Sequence, residues 1–203
     1  VEFLLVVGGA ALIIWAIVAA IEEAAKSAPS NVAKDAARFD RELRAAVEKP
    51  DDDRAKALLM ALPRWPPRES LLSATTSLME LRKGTAHATA AGVSQHFLRD
   101  VDVRASACEH ALRLVAVRML AARLHSGQSR FRSLPDRSRA ALLDDATEMD
   151  QIRSSARAVH VSLTEMITEG PGRSGGWALT LVGRDLEALA IASANIVAKG
   201  ELR

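Results

Sequence analysis

The sequence predicts an all-α protein: a single amino-terminal transmembrane helix followed by an antiparallel bundle of long helices. Three observations predict it. The stretch Phe3 to Ile21, FLLVVGGAALIIWAIVAAI, carries no charged residue. The remainder is rich in Ala, Leu, Arg and Glu, with aromatics at 3% and no Tyr, a composition that favours helix over sheet. Apolar residues recur at intervals of three and four, and no stretch of any length alternates with period two.

The first element follows from length and charge. About 19 apolar residues wound as a helix rise roughly 28 Å, the thickness of a bilayer's hydrocarbon core. A signal peptide is the competing reading. It is disfavoured because Glu2, and nothing basic, precedes the run, and because the small-x-small site Ala25-Lys26-Ser27 is poor and distant. The chain begins with Val1, which leaves a processed end, a fragment or an unusual start open. Lys26, Lys34, Arg38, Arg41 and Arg44 follow the run, so the positive-inside rule places the carboxy-terminal part in the cytoplasm, with the span in the cytoplasmic membrane. Gly8-Gly9-Ala10-Ala11 offers a small face for another transmembrane helix, although Gly and Ala are common in such helices anyway.

Three regions are expected: an anchor over 1–21, juxtamembrane helices and a Pro-rich break over 22–84, and a long-helix bundle over 85–203. Ser30 or Asn31 caps a helix to about Lys49, with Val32, Ala36, Phe39, Leu43 and Val47 on one face. Pro50 ends it. Asp51-Asp52-Asp53 opens the next helix, which continues from Ala55 to Leu62. Pro63-Arg64-Trp65-Pro66-Pro67-Arg68 breaks the pattern, and its Trp belongs against the core more readily than at lipid headgroups. Ser70 to Lys83 reads as a helix closed by Gly84. A long helical stretch from about Thr85 to His125, closed by Gly127, has Gly92 as a kink or division point. Gln128 to Pro135 is a loop. Asp136 to about Glu169 is helical, Gly170 to Gly176 is a linker, and Trp177 to Lys199 is the last helix, closed by Gly200.

Chemistry is sparse. The formal net charge of +2 does not argue for nucleic acid. Cys108 is the only cysteine, which rules out an internal disulfide, a four-cysteine metal site and a Cys-x-x-Cys pair. His96 and Asp100 share a helix face, but one such pair reads as a surface ion pair before it reads as two metal ligands. Cys108, Glu109 and His110 point in different directions from a helix and cannot meet one substrate. With no nucleophile–base set and no phosphate-binding Gly loop, the sequence implies neither an enzyme nor a cofactor. Arg130, Arg132, Arg137 and Arg139 flank Phe131 and are the interaction candidates, either as a contact to anionic headgroups or as a solvated basic loop. Asp144 and Glu148 share a face, Asp150 follows, and Asp185 lies on a stripe with Leu181, Leu189, Ala192 and Ile196. If buried, such a carboxylate needs a partner, and an arginine on a neighbouring helix is the expected one.

Arg184-Asp185-Leu186-Glu187-Ala188-Leu189-Ala190, followed by Ala194-Asn195-Ile196, resembles the third-helix signature of the phosphate-uptake regulator (PhoU-like) family. Thr147-Glu148-Met149-Asp150-Gln151-Ile152 is similar to the same family's acidic motif upstream. The resemblance covers about the last third of the chain, or one three-helix repeat. It implies a PhoU-like bundle that docks on a phosphate transporter or its sensor kinase and binds metal through paired acids. Here Ile191 stands where the acid after Glu187 belongs, and Thr147 replaces the first acid upstream. Glu148, Asp150 and Glu187 are the only metal candidates, and no tightly held metal cluster is expected. The function implied is a membrane-anchored regulatory protein with an integral membrane partner, with self-association also open. The alternative is a single-span accessory subunit of a larger membrane complex.

Overall fold

A computed structural model describes residues 29–48, 52–127, 130–169 and 176–201. The expected span over Phe3 to Ile21, the Pro50 break and most of the Gly170 to Gly176 linker lie outside the described residues. Among the described residues the protein is all-α, with α1 (Pro29–Glu48), α2 (Asp52–Met60), α3 (Pro66–Ala90), α4 (Gln95–Ser126), a 3-10 turn at Phe131–Ser133, α5 (Asp136–Glu169) and α6 (Gly176–Glu201). No helix among them is long and apolar enough to cross a membrane.

Buried positions explain why these helices form a bundle. Most fall at 98, 101, 105, 108, 112, 115 and 119 on α4, at 142, 145, 149, 152, 156, 159, 163 and 166 on α5, and at 182, 186, 189, 193 and 196 on α6. On α3 they fall at 71, 74, 78, 81, 85 and 88, and on α1 at 36, 39, 43 and 46. Alternation of three and four is the heptad rhythm. Ser77 on α3, Ala111, Ala116, Leu120 and Leu124 on α4, Ala141 and Ser155 on α5 and Ala192 on α6 are buried beside it and widen the seam into a broader core face. Leu181 is 42% exposed, contrary to the sequence expectation. It sits one residue, about 100° of helix, ahead of the seam position Val182.

The fold divides into two compact units. The first gathers the described residues up to Leu72 and Val115–Asp144; the second gathers Ser73–Leu114 and the described residues from Asp145 onward. In the first, α1 and α2 pack together. Trp65 is buried with its ring 5.9 Å from that of Phe131, which confirms the tucked-in tryptophan. The Arg68 guanidinium donates to Met60 O at 3.2 Å and Leu62 O at 3.4 Å. It thus places positive charge on carbonyls that the end of α2 leaves without intrahelical partners.

The second unit is a four-helix ring. Arg82 on α3 meets Glu109 on α4. Cys108 on α4 meets Leu189 on α6. Lys199 on α6 meets Glu148 on α5, and His160 on α5 lies over Gly84 on α3. The α5–α6 pair is antiparallel, since Glu148 near the start of one meets Asn195 and Lys199 near the end of the other.

Several boundaries differ from the sequence expectation. α3 starts at Pro66, because proline suits the first helical turn, where no N–H is needed. It continues through Gly84, whose missing side chain makes room for His160: a Cβ there would stand 2.6 Å from the imidazole Nδ1. The division occurs at Gly92, with φ +81°. Val93 N donates to Ala88 O at 3.0 Å and Gly92 N to Thr89 O at 3.2 Å, the paired bonds of a Schellman cap. α6 runs through Gly200 to Glu201.

Candidate functional site

The α5–α6 pair carries both motif segments and brings them together. The Asn195 amide donates to Glu148 Oε1 at 3.1 Å, and Lys199 Nζ lies 3.4 Å from the same oxygen. Glu148 is therefore committed to an amide and an ammonium. Asp150 is exposed and pairs with Arg153 at 3.6 Å, while Glu187 is exposed. Among the described residues no three His, Cys, Asp or Glu side chains converge on a point where a metal ion could sit.

On the outer side of the same two helices lies an open groove of about 610 Å³. Its walls include Arg153, Arg157, Val161, Glu165, Leu181 and Arg184. Val161 is 48% and Leu181 42% exposed, so two branched aliphatic side chains stand in solvent between arginines. Asp185 also lines this groove, half-buried, and makes no ion pair with an arginine among the described residues. The arginine partner expected for it is absent because Asp185 sits beside the seam, at the groove wall, and water still reaches it.

The arginine loop is built on the first unit. Phe131 is fixed by Trp65. Arg139 is occupied internally: its Nη1 donates to Arg132 O at 3.0 Å and Leu134 O at 3.5 Å, and its Nη2 pairs with Asp136. That leaves Arg130, Arg132 and Arg137 with exposed side chains. Three of the four arginines form a positive surface, and the fourth holds the loop in shape.

No family model, no curated protein and no solved structure matches the chain. The site must therefore be read from its own geometry.

The other residues singled out in the sequence are structural. Cys108 is fully buried and its Sγ–H donates to Leu189 O at 3.4 Å; burial pushes the thiol up to about 12, so it is no nucleophile at neutral pH. Glu109 lies 2.6 Å from Arg82 Nε, in an ionic contact whose N–H is not aimed at the oxygen. Burial raises its carboxyl to about 7, against the opposing pull of Arg82 and Arg113. His110 is exposed against Arg113 at 3.1 Å. The three neighbours thus diverge, and Asp100 pairs with Arg104 at 3.3 Å while His96 is exposed. Two features escaped the sequence reading. One is the groove itself, made by residues that lie off the seam on two helices. The other is Asp145, fully buried on the α5 seam. Its signal was available, because it continues the rhythm of Leu142, Met149 and Ile152.

Proposed function

We propose that the chain is a membrane-anchored regulatory protein whose helical bundle, related to the PhoU-like family, docks on an integral membrane transporter or its sensor. The observation that carries this reading is the joining of the two family-like motifs on adjacent antiparallel helices, with Asn195 donating to Glu148 at 3.1 Å. The reactive side chains Cys108, Glu109 and Glu148 are each held in structural contacts, so the chemistry offered to a partner is that of the surface. The apolar run Phe3 to Ile21 serves as the anchor, and Arg130, Arg132 and Arg137 lie against the acidic cytoplasmic leaflet.

The test uses the tagged full chain extracted from membranes with detergent. Recovery of a phosphate or ion transporter, or of its sensor, whose activity shifts with phosphate in the presence of the chain, is the expected result. Stable recovery of a membrane complex whose activity is indifferent to phosphate favours the accessory-subunit alternative. Finding the full chain in the soluble fraction without detergent overturns the anchored reading.

A further inference from the structure

We propose that the α5–α6 groove is the interface of a two-fold homodimer, with the symmetry axis passing at Val161. The argument does not depend on the regulatory reading above.

It begins with charge order along α5. Arg157 lies four residues before Val161 and Glu165 four residues after, so all three lie along one helix ridge, each about 6 Å from the next. Val161 is 48% exposed, and Arg157 and Glu165 are exposed too. Neither Arg157 nor Glu165 makes an ion pair among the described residues. A two-fold axis perpendicular to α5 at Val161 sets a second α5 antiparallel to the first. Every residue n positions before Val161 then faces the residue n positions after it in the other copy. Arg157 meets the partner's Glu165 and Glu165 meets the partner's Arg157, while the two Val161 side chains cover each other at the centre. A self-complementary patch of this kind is what a closed two-fold contact requires.

The same groove disfavours other occupants. A free anion or a uniformly acidic surface would be drawn to Arg153, Arg157 and Arg184, but would also meet the carboxylates of Glu165 and Asp185. A partner fits when it carries both signs in reverse order around an apolar centre. This chain's own α5 does so. On α6, Leu181, 42% exposed beside Val161, widens the apolar patch that a second copy would cover.

The test uses the full chain and two independent readouts. Sedimentation of the wild type is expected to show a monomer–dimer equilibrium that weakens with salt. Arg157→Glu and Glu165→Arg each break both symmetric pairs and create two repulsions, so each should weaken dimerisation about tenfold or more, and the double variant should restore it to within about threefold. Val161→Cys should give a disulfide-linked dimer on mild oxidation, because a residue on the axis faces its own copy. Native Cys108 is fully buried and supplies no background. Circular dichroism of each variant separates misfolding from dissociation, and the cysteine cross-link stands without the charge variants. A wild type that stays monomeric at about 100 µM, weaker than ordinary specific association, overturns the proposal. So does a dimer in which Val161→Cys does not cross-link, or whose single charge reversals are not rescued in combination.

Discussion

Leu189→Ala and Leu181→Ala are the same chemical change made eight residues apart on one helix, and the fold predicts opposite outcomes. Leu189 is fully buried on the α6 seam, and its flanking seam residues Leu186, Ser193 and Ile196 are no more than 4% exposed. Its backbone carbonyl is also held by Cys108 from α4. Truncation removes three carbons, about 2.4 kcal/mol at roughly 0.8 kcal/mol per buried carbon, and leaves a cavity that so closed a neighbourhood cannot collapse to fill. A loss of about 3–4 kcal/mol follows, within the known range of about 2–5. For a chain of this size it lowers the melting temperature by roughly 6–16 °C. Leu181 is 42% exposed, and its truncation should stay within about 0.5 kcal/mol. Thermal and urea unfolding followed by circular dichroism measures both, at dilutions where self-association does not contribute. Equal losses at the two positions would refute this boundary of the buried face and restore one that includes Leu181.

Three more predictions rest on single contacts. Gly84→Ala should destabilise by about 1–3 kcal/mol through overpacking on His160, and combining it with His160→Ala should remove that penalty and expose the roughly 1 kcal/mol helix-propensity gain of alanine; a double-mutant cycle of urea midpoints reads this. Glu109 has a folded value raised from 4.5 to about 7, so its contribution to stability is full below pH 4.5 and is lost as pH rises through about 7. At most about 3 kcal/mol is at stake, and Glu109→Gln should flatten the stability profile between those limits. Arg68→Ala should cost about 1–3 kcal/mol by leaving the Met60 and Leu62 carbonyls without their donor, and Arg68→Lys should restore only part of it, since one Arg68 nitrogen, Nη1, serves both carbonyls while Nη2 holds Glu69, and an ammonium has no second nitrogen.

The helical class, and the positions of most helices, were legible because apolar spacing along a long amphipathic helix is a strong local signal. What was not legible depends on distinctions finer than that signal. Intervals of three and four do not show how far the buried face extends on either side of the heptad positions; on α6 it takes in Ala192 and leaves Leu181 out, and on α5 it takes in Asp145. Gly84 and Gly92 are eight residues apart and look alike in sequence. One ends a helix through a positive φ, and the other sits in mid-helix under an imidazole on α5 that no local rule foresees. The Arg139 contacts to loop carbonyls likewise depend on the fold of the 3-10 turn, so the arginine cluster could not be sorted in advance into three surface charges and one structural clasp. The groove was invisible for a related reason: Arg157, Val161 and Glu165 become a site only when α6 brings Leu181 and Arg184 beside them.

The polar groups inside the second unit have a common consequence. Thr85, Cys108 and Ser193 occupy seam positions in a core that is otherwise mostly Ala, Leu, Val, Ile and Met, with Ser77, Asp145 and Ser155 as the further buried polar side chains among that unit's described residues. Thr85 donates to Leu81 O at 3.0 Å within its own helix and so does not specify which helix lies opposite. Ser193 donates to Ala190 O at 3.0 Å and also lies against the Cys108 thiol across the α4–α6 contact. Cys108 is different, because its hydrogen bond reaches Leu189 on α6 and thereby distinguishes one axial register of α4 against α6 from the next. A seam of small and medium aliphatic residues is permissive to a one-turn slip, and a single directed polar contact is the type of device that removes the degeneracy. The same burial that lets Cys108 fix register raises its thiol to about 12 and withdraws it from chemistry. In this bundle, then, burial assigns the reactive residues to specifying structure. Recognition is left to exposed groups off the seam, where charge order and two bare aliphatic side chains carry the information.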